Sequence, residues 1–200
     1  MLITFEGVNG AGKTTAMNII SDKLKKEYPK HTVDSHFCPG DGIPKLRPIF
    51  KDPKANYSGL AYLFMACADQ VELMKKHVIP TSTSDIVLVD RLFDSTYAYQ
   101  TVYGGLSEEV IGMVSSLSTC NIRPNLTLLF DIPYEVSMQR REREGWEDKF
   151  EIDFVAKFDA LRAKFLEIVN LDPARVKLID ATKPLDKVVS KCMKYIKAVL

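Results

Sequence analysis

Gly7-Val8-Asn9-Gly10-Ala11-Gly12-Lys13-Thr14 follows the pattern G-x-x-x-x-G-K-[ST], and its residue types suit one task, the wrapping of a triphosphate. A triphosphate is a compact cluster of negative charge that must be met by convergent backbone N–H groups, and residues without side chains let the backbone come that close. Gly7, Gly10 and Gly12 supply this freedom, with Asn9 and Ala11 between them. Lys13 would bring an ammonium to the β- and γ-phosphates. The Thr14 hydroxyl would take one position on Mg²⁺, above the positive end of the helix that follows.

Two further stretches carry chemistry. Asp90 closes the apolar run Ile86-Val87-Leu88-Val89 and is followed at once by Arg91. A carboxylate at the end of a buried strand beside a phosphate loop can reach Mg²⁺ or a water on it, the alternative being an N-cap for a helix starting near Asp94. Arg91, at the carboxyl edge of the sheet, would face the phosphates. The run from Gln139 to Lys149 contains Arg140, Arg141 and Arg143. Such mixed charge is commonly a solvated helix face. Beside a phosphate loop it suits an arginine-bearing lid over about residues 140 to 151, because phosphoryl transfer needs positive charge brought in and water kept out.

The elements that must hold these residues alternate in the manner of an α/β fold. Met1 to Glu6, Thr32 to Phe37, Ile86 to Asp90, Leu126 to Asp131 and Val176 to Asp180 read as five strands. Helical spacing covers Thr14 to Tyr28, Tyr57 to His77, Ser95 to Tyr103, Ser107 to Leu117, a stretch opened by Pro133, Asp153 to Val169 and Leu185 to Leu200. Cys38-Pro39-Gly40-Asp41-Gly42 is a turn-rich loop after the second strand, where ligand crevices of parallel sheets lie. Asp69 and Gln70 interrupt the apolar Tyr57–His77 stretch, and pattern leaves two readings open: they point at a ligand or lie on the solvated face. The expected architecture is a P-loop, doubly wound five-stranded parallel sheet with flanking helices and a short lid, forming a single domain.

Composition fits that picture. The chain has 200 residues, 46% hydrophobic and 26% charged, with net charge +1, enough for a full core and too near neutral to suggest a nucleic-acid or membrane-surface partner. No run reaches the length of a membrane span, and Met-Leu-Ile-Thr-Phe-Glu lacks the charged start of a signal peptide, so the expected location is cytoplasmic. Cys38, Cys67, Cys120 and Cys192 form no C-x-x-C pair and no cluster with His31, His36 and His77. They read as reduced thiols without structural zinc.

From end to end the chain resembles the thymidylate kinase family. The resemblance rests on Phe5-Glu6-Gly7 leading into Gly10-Ala11-Gly12-Lys13-Thr14-Thr15, on Asp90-Arg91 with Ser95 and Ala98-Tyr99-Gln100, and on Arg123-Pro124-Asn125-Leu126-Thr127. It extends through Asp131-Ile132-Pro133-Tyr134-Glu135 with Arg140, Asp148-Lys149-Phe150-Glu151, and Ile179-Asp180-Ala181-Thr182. It implies transfer of the γ-phosphate of ATP to dTMP with Mg²⁺, by a homodimer packed through helices of the kind seen at Tyr57–His77 and Ser95–Tyr103. Lys13, Thr14 and Thr15 would hold ATP phosphates and Mg²⁺, and Arg91 would bridge donor and acceptor. Tyr99 would pack on the deoxyribose, Thr96 and Gln100 would lie near the base, and Arg47 would approach the acceptor phosphate. Gly10 in place of a loop arginine is similar to the bacterial-type branch, in which lid arginines supply the transition-state charge.

The departures concentrate on the acceptor side. Asn9 stands where the family usually has an acid that meets the 3′-hydroxyl, and Phe37-Cys38-Pro39-Gly40-Asp41-Gly42 replaces Arg-Glu-Pro-Gly-Gly-Thr. Ala66 and Gln70 replace the phenylalanine that stacks on thymine and the arginine that reads it. Phe64 is an alternative stacking ring if the helix register differs. These changes leave room for another or broader base range, and a deoxynucleoside kinase is a more distant alternative.

Overall fold

The computed structural model describes residues 1–52, 54–81, 85–143 and 151–200, with 151–156 described by their backbone alone. Five strands, β1 (Leu2–Gly7), β2 (Val33–Phe37), β3 (Ile86–Asp90), β4 (Leu126–Asp131) and β5 (Val176–Asp180), form one sheet in the order β2-β3-β1-β4-β5. Every pairing is parallel, and Phe5 of β1 sits opposite Asp90 on one side and Leu128 on the other. All residues of β1 and β3 are buried. That is why their sequences read as apolar runs rather than as alternation: helices cover both faces of a parallel sheet.

Those helices are α1 (Lys13–Glu27), α2 (Leu46–Lys51), α3 (Gly59–Leu73), α4 (Phe93–Val102), α5 (Glu108–Ser118), α6 (Tyr134–Arg143), α7 (Glu151–Leu171) and α8 (Leu185–Lys197). Ile86 and Leu88 face the main core, which includes Met17, Ile20 and Leu24 of α1, Phe158 and Phe165 of α7 and Val189 and Ile196 of α8. Val87 and Val89, pointing the other way, join a second cluster with Leu73, Met74 and Val78. The alternation of β3 thus feeds two cores.

The expected strands and doubly wound order are present. The helix expected over Tyr57–His77 starts at Gly59, where Ser58 accepts from Ala61 N at 3.3 Å, and its last turn, Met74–Val78, is π-helical. Helix α2 has no counterpart in the sequence reading. It is six residues long, and Pro48 sits in its first turn, where a missing N–H costs nothing. All four cysteines are free thiols. Among the described residues no helix is long and apolar enough to cross a membrane. The expected lid falls mostly on residues 144–150, outside the described ones.

Candidate active site

The loops leaving β1, β2 and β3 meet at one end of the sheet. The phosphate loop runs from Gly7 to Gly12, with Gly10 in the left-handed region (φ +74°) and pressed against α6: a Cβ there would lie 3.0 Å from Ser137 O and 3.3 Å from Arg141 Cγ. Ser137 Oγ donates to Asn9 O at 2.8 Å, so α6 pins the loop from the side. Lys13 begins α1, is 6% exposed, and donates to Val8 O at 2.9 Å. Burial, reinforced by the positive charge of Arg91, pushes its ammonium down to about 7. Thr14 and Thr15 are exposed at the start of α1.

Thr14 Oγ1 donates to Asp90 Oδ2. Asp90 is 6% exposed, and its other oxygen, Oδ1, is buried with no hydrogen-bond partner among the described residues. A buried carboxylate oxygen without a donor is costly unless a cation or a water meets it. The hydroxyl and the carboxylate therefore make an oxygen donor set of the type that suits Mg²⁺. The alternative of an N-cap does not hold, because the cap of α4 is Leu92.

Arg91 adopts φ +70° directly after β3. Its Nη1 donates to Gly7 O at 2.8 Å and Ser95 Oγ at 2.9 Å, its Nη2 donates to Asn9 Oδ1 at 2.6 Å, and its guanidinium lies 5.3 Å from the Tyr99 ring centre. Burial opposes the charge, but Tyr99, Asp90 and Glu6 outweigh it and hold the pKa above its usual value. Beneath it, Glu6 accepts from Leu92 N at 2.8 Å and from the Ser95 hydroxyl. Burial, then the nearby Asp94, raises the Glu6 carboxyl. Glu6 and Ser95 set the position of Arg91. Only a fold that brings β1 beside β3 reveals the part played by Glu6.

Beside Arg91 opens a cavity of about 410 Å³ whose walls include Asn9, Tyr62, Ala66, Thr96, Tyr99 and Gln100. Tyr99 and Tyr103 stack at 5.8 Å, and Lys157 of α7 lies 5.3 Å from the Tyr103 ring. Phe50 of α2, also in the wall, packs on Tyr62 at 5.6 Å. Phe50, Tyr62 and Lys157 were absent from the sequence candidates, because nothing local marks residues that meet across three helices.

Three expected acceptor residues stand elsewhere. Phe64 is 55% exposed and lies outside the cavity wall; the wall position belongs to Ala66. Gln70 is fully buried and bonded to Thr96 and Ser118. Neither reading of the polar interruption applies, since Asp69 is also fully buried and accepts from Gly40 N at 2.9 Å and Ile43 N at 2.6 Å, clamping the loop after β2. Arg47 donates to Pro39 O at 3.0 Å and lies over Phe37, bracing that same loop. On the donor side, Arg140 reaches both Gly10 O (3.2 Å) and Ala181 O (2.8 Å). Arg141 is buried against the phosphate loop, and Arg143 is exposed.

A family model described as thymidylate kinase matches residues 5–192. The chain belongs to the thymidylate kinase family. It is similar to the thymidylate kinase of Latilactobacillus sakei subsp. sakei, 32% identical over 200 residues, covering 98% of this chain and 94% of that one. The thymidylate kinase of Pseudomonas putida is 34% identical over 195 residues, covering 94% and 92%. A crystal structure of thymidylate kinase from Ehrlichia chaffeensis has the same fold, with a TM-score of 0.73, 24% identity and 98% of each chain covered. As a nucleoside-monophosphate kinase the thymidylate kinase site must bring two phosphates together. In this chain the junction of phosphate loop and cavity is occupied by Arg91 and Asn9.

Proposed function

We propose that this chain transfers the γ-phosphoryl group of ATP to a deoxynucleoside monophosphate, dTMP first, to give dTDP. The observation that carries the reading is the setting of Arg91: one guanidinium is tied to the phosphate loop through Gly7 O and Asn9 Oδ1 while it borders the separate cavity beside Tyr99. A cation at that junction neutralises charge on donor and acceptor alike.

The roles follow from the chemistry. Gly7, Asn9, Gly10, Ala11, Gly12, Lys13, Thr14 and Thr15 bind the ATP phosphates. Thr14 and Asp90 hold Mg²⁺, which supplies charge neutralisation on the phosphate oxygens when bound. The acceptor oxygen attacks the γ-phosphorus in line, and catalysis is positioning plus electrostatic stabilisation by Lys13, Arg91 and a lid arginine, Arg140 before Arg141 or Arg143. Tyr99 packs on the acceptor sugar, and Thr96 and Gln100 lie at the base. Phe50 and Tyr62 serve as the aromatic wall that Ala66 does not provide.

The family reading also includes a single domain working in the cytoplasm as a homodimer. Exposed Leu60 and Phe64 on α3 and Val110, Met113 and Leu117 on α5 offer an apolar face of the kind that a two-fold contact covers. That face involves α5 rather than α4, whose flanks pack on α3, α5 and α7. Sedimentation of the purified chain tests it: a 45 kDa species is expected (two chains of 22.6 kDa), whereas a monomer would remove the dimer. The kinase reading is tested by ATP- and Mg²⁺-dependent formation of dTDP from dTMP. A broader pyrimidine range is the second reading, favoured by Ala66 in the wall and Gln70 outside it.

A further inference from the structure

The loop that leaves β2, residues 38 to 42, puts Cys38 and Pro39 in the cavity wall. It is seated on the end of α3: Asp69 accepts from Gly40 N, and a Cβ on Gly42 would lie 1.8 Å from Asp69 O. The π-helical turn Met74–Val78, which continues α3, grips the chain on both sides of this loop. Beyond it, Lys76 Nζ donates to Gly42 O at 2.8 Å and lies 3.3 Å from Glu72. Before it, His77 stacks on His36 of β2, with ring centres 4.0 Å apart and planes inclined by 30°.

Of the two rings, His36 is the better fixed. It lies in β2 opposite Val89 of β3, and its Nδ1 stands 3.4 Å from Asp41 Oδ2, which also accepts from Phe37 N at 2.9 Å. His77 is carried by a single π turn, a rare winding found mostly as an isolated bulge, so it is the ring that yields. Stacked imidazoles tolerate one proton and resist two. A proton on His36 faces Asp41, whereas a second, on His77, is set against a like charge across the stack. Burial first, then His36, holds His77 below its ordinary 6.5, with Asp41 and Asp34 opposing them and Lys76 adding to them. Separated rings bind the second proton more readily than the stacked pair, so the stack is kept above that ordinary value and lost as pH falls below it.

We propose that the His36–His77 stack is a pH-sensitive latch on the acceptor wall: with both rings charged, the π turn leaves β2, Lys76 releases Gly42, and the loop bearing Cys38 and Pro39 loosens its hold on the acceptor. His77 and Lys76 are positioning residues, acting on the monophosphate through that loop. This rests on the cavity being the acceptor site.

The test is the Kd of dTMP, measured by calorimetry at pH 8 and pH 5 for the native chain and for His77→Phe, which keeps a ring in the stack and cannot charge. The dTMP phosphate itself titrates at about 6, but equally for both proteins, so their ratio reads the latch alone. One proton sets a ceiling of about tenfold per pH unit. The native-to-variant ratio should be near one at pH 8 and rise about threefold or more by pH 5, while the same ratio for ATP stays level. A dTMP ratio that does not change with pH, or an ATP ratio that changes as much, overturns the proposal. If His77→Phe loses its folding transition, His36→Phe takes its place, with the same outcomes. The native chain supplies a reading that needs no variant: in NMR the Gly42 amide should shift with the His77 titration, and a Gly42 signal that stays put overturns the latch. No dTMP binding by the folded native chain at pH 8 would overturn the acceptor-site reading itself, a result distinct from binding with a level ratio.

Discussion

Arg91 Nη2 donates to Asn9 Oδ1 at 2.6 Å, joining the residue just past β3 to the middle of the phosphate loop after β1. The bond fixes the Asn9 amide with its oxygen toward the guanidinium and its NH₂ turned elsewhere, and Asn9 is part of the cavity wall. An aspartate there would add a charge; the amide keeps the hydrogen bond and leaves the arginine more of its charge for phosphate.

Asp90→Asn should raise the Mg²⁺ concentration for half-maximal turnover by about tenfold or more, because the amide replaces one anionic oxygen with a donor. Titrating activity with Mg²⁺ at saturating ATP reads this directly. An unchanged requirement would remove Asp90 from the metal site.

ATP affinity should fall as pH rises above neutrality. Lys13 titrates at about 7 in the ligand-free protein, and phosphate contact favours its charged form, so binding above pH 7 takes up a proton. The limiting slope is one proton, about tenfold in Kd per pH unit. Calorimetry in buffers of different ionisation enthalpy counts the proton, and no uptake at pH 8 would refute the linkage. The same shift predicts the sign for folding. Between about 7 and the ordinary lysine value of 10.5 the unfolded chain binds more protons than the native one, so the contribution of Lys13 to stability grows as pH rises through that window.

Phe50→Ala should raise KM for dTMP by about 5- to 100-fold, the range of one base-stacking contact, with little change in KM for ATP. Equal loss on both substrates would mean that the ring only supports α2.

Arg140→Ala should lower kcat by about 10²–10³-fold, the cost of one preorganised donor, whereas Arg143→Ala should stay within a few-fold. Arg140 already spans Gly10 O and Ala181 O, and Arg143 is exposed. The reverse ranking would assign the lid cation to Arg143.

The phosphate loop, the five strands and the Asp90-Arg91 pair were legible because each is a local pattern whose chemistry depends on neighbours in sequence. The acceptor wall was not. Helical spacing puts Leu60, Leu63, Phe64 and Cys67 on one side of α3, but Leu63 and Cys67 are buried against α5 while Leu60 and Phe64 are exposed. Nothing in the period separates core from an uncovered apolar face. Asp69 and Gln70 read as ligand-facing or solvated, since a polar residue in an apolar helix does not announce whether its partners are inside; here Gly40, Ile43, Thr96 and Ser118 satisfy them. Phe50 carries no periodic signal, because α2 is only six residues long.

The most direct test of the central claim is a coupled ATP-consumption assay over all deoxy- and ribonucleoside monophosphates plus thymidine, with Arg91→Ala in parallel. Strong preference for dTMP, with turnover in the variant reduced by about 10² or more, is the expected result. No turnover of any monophosphate by the native chain, or full activity in Arg91→Ala, would contradict it.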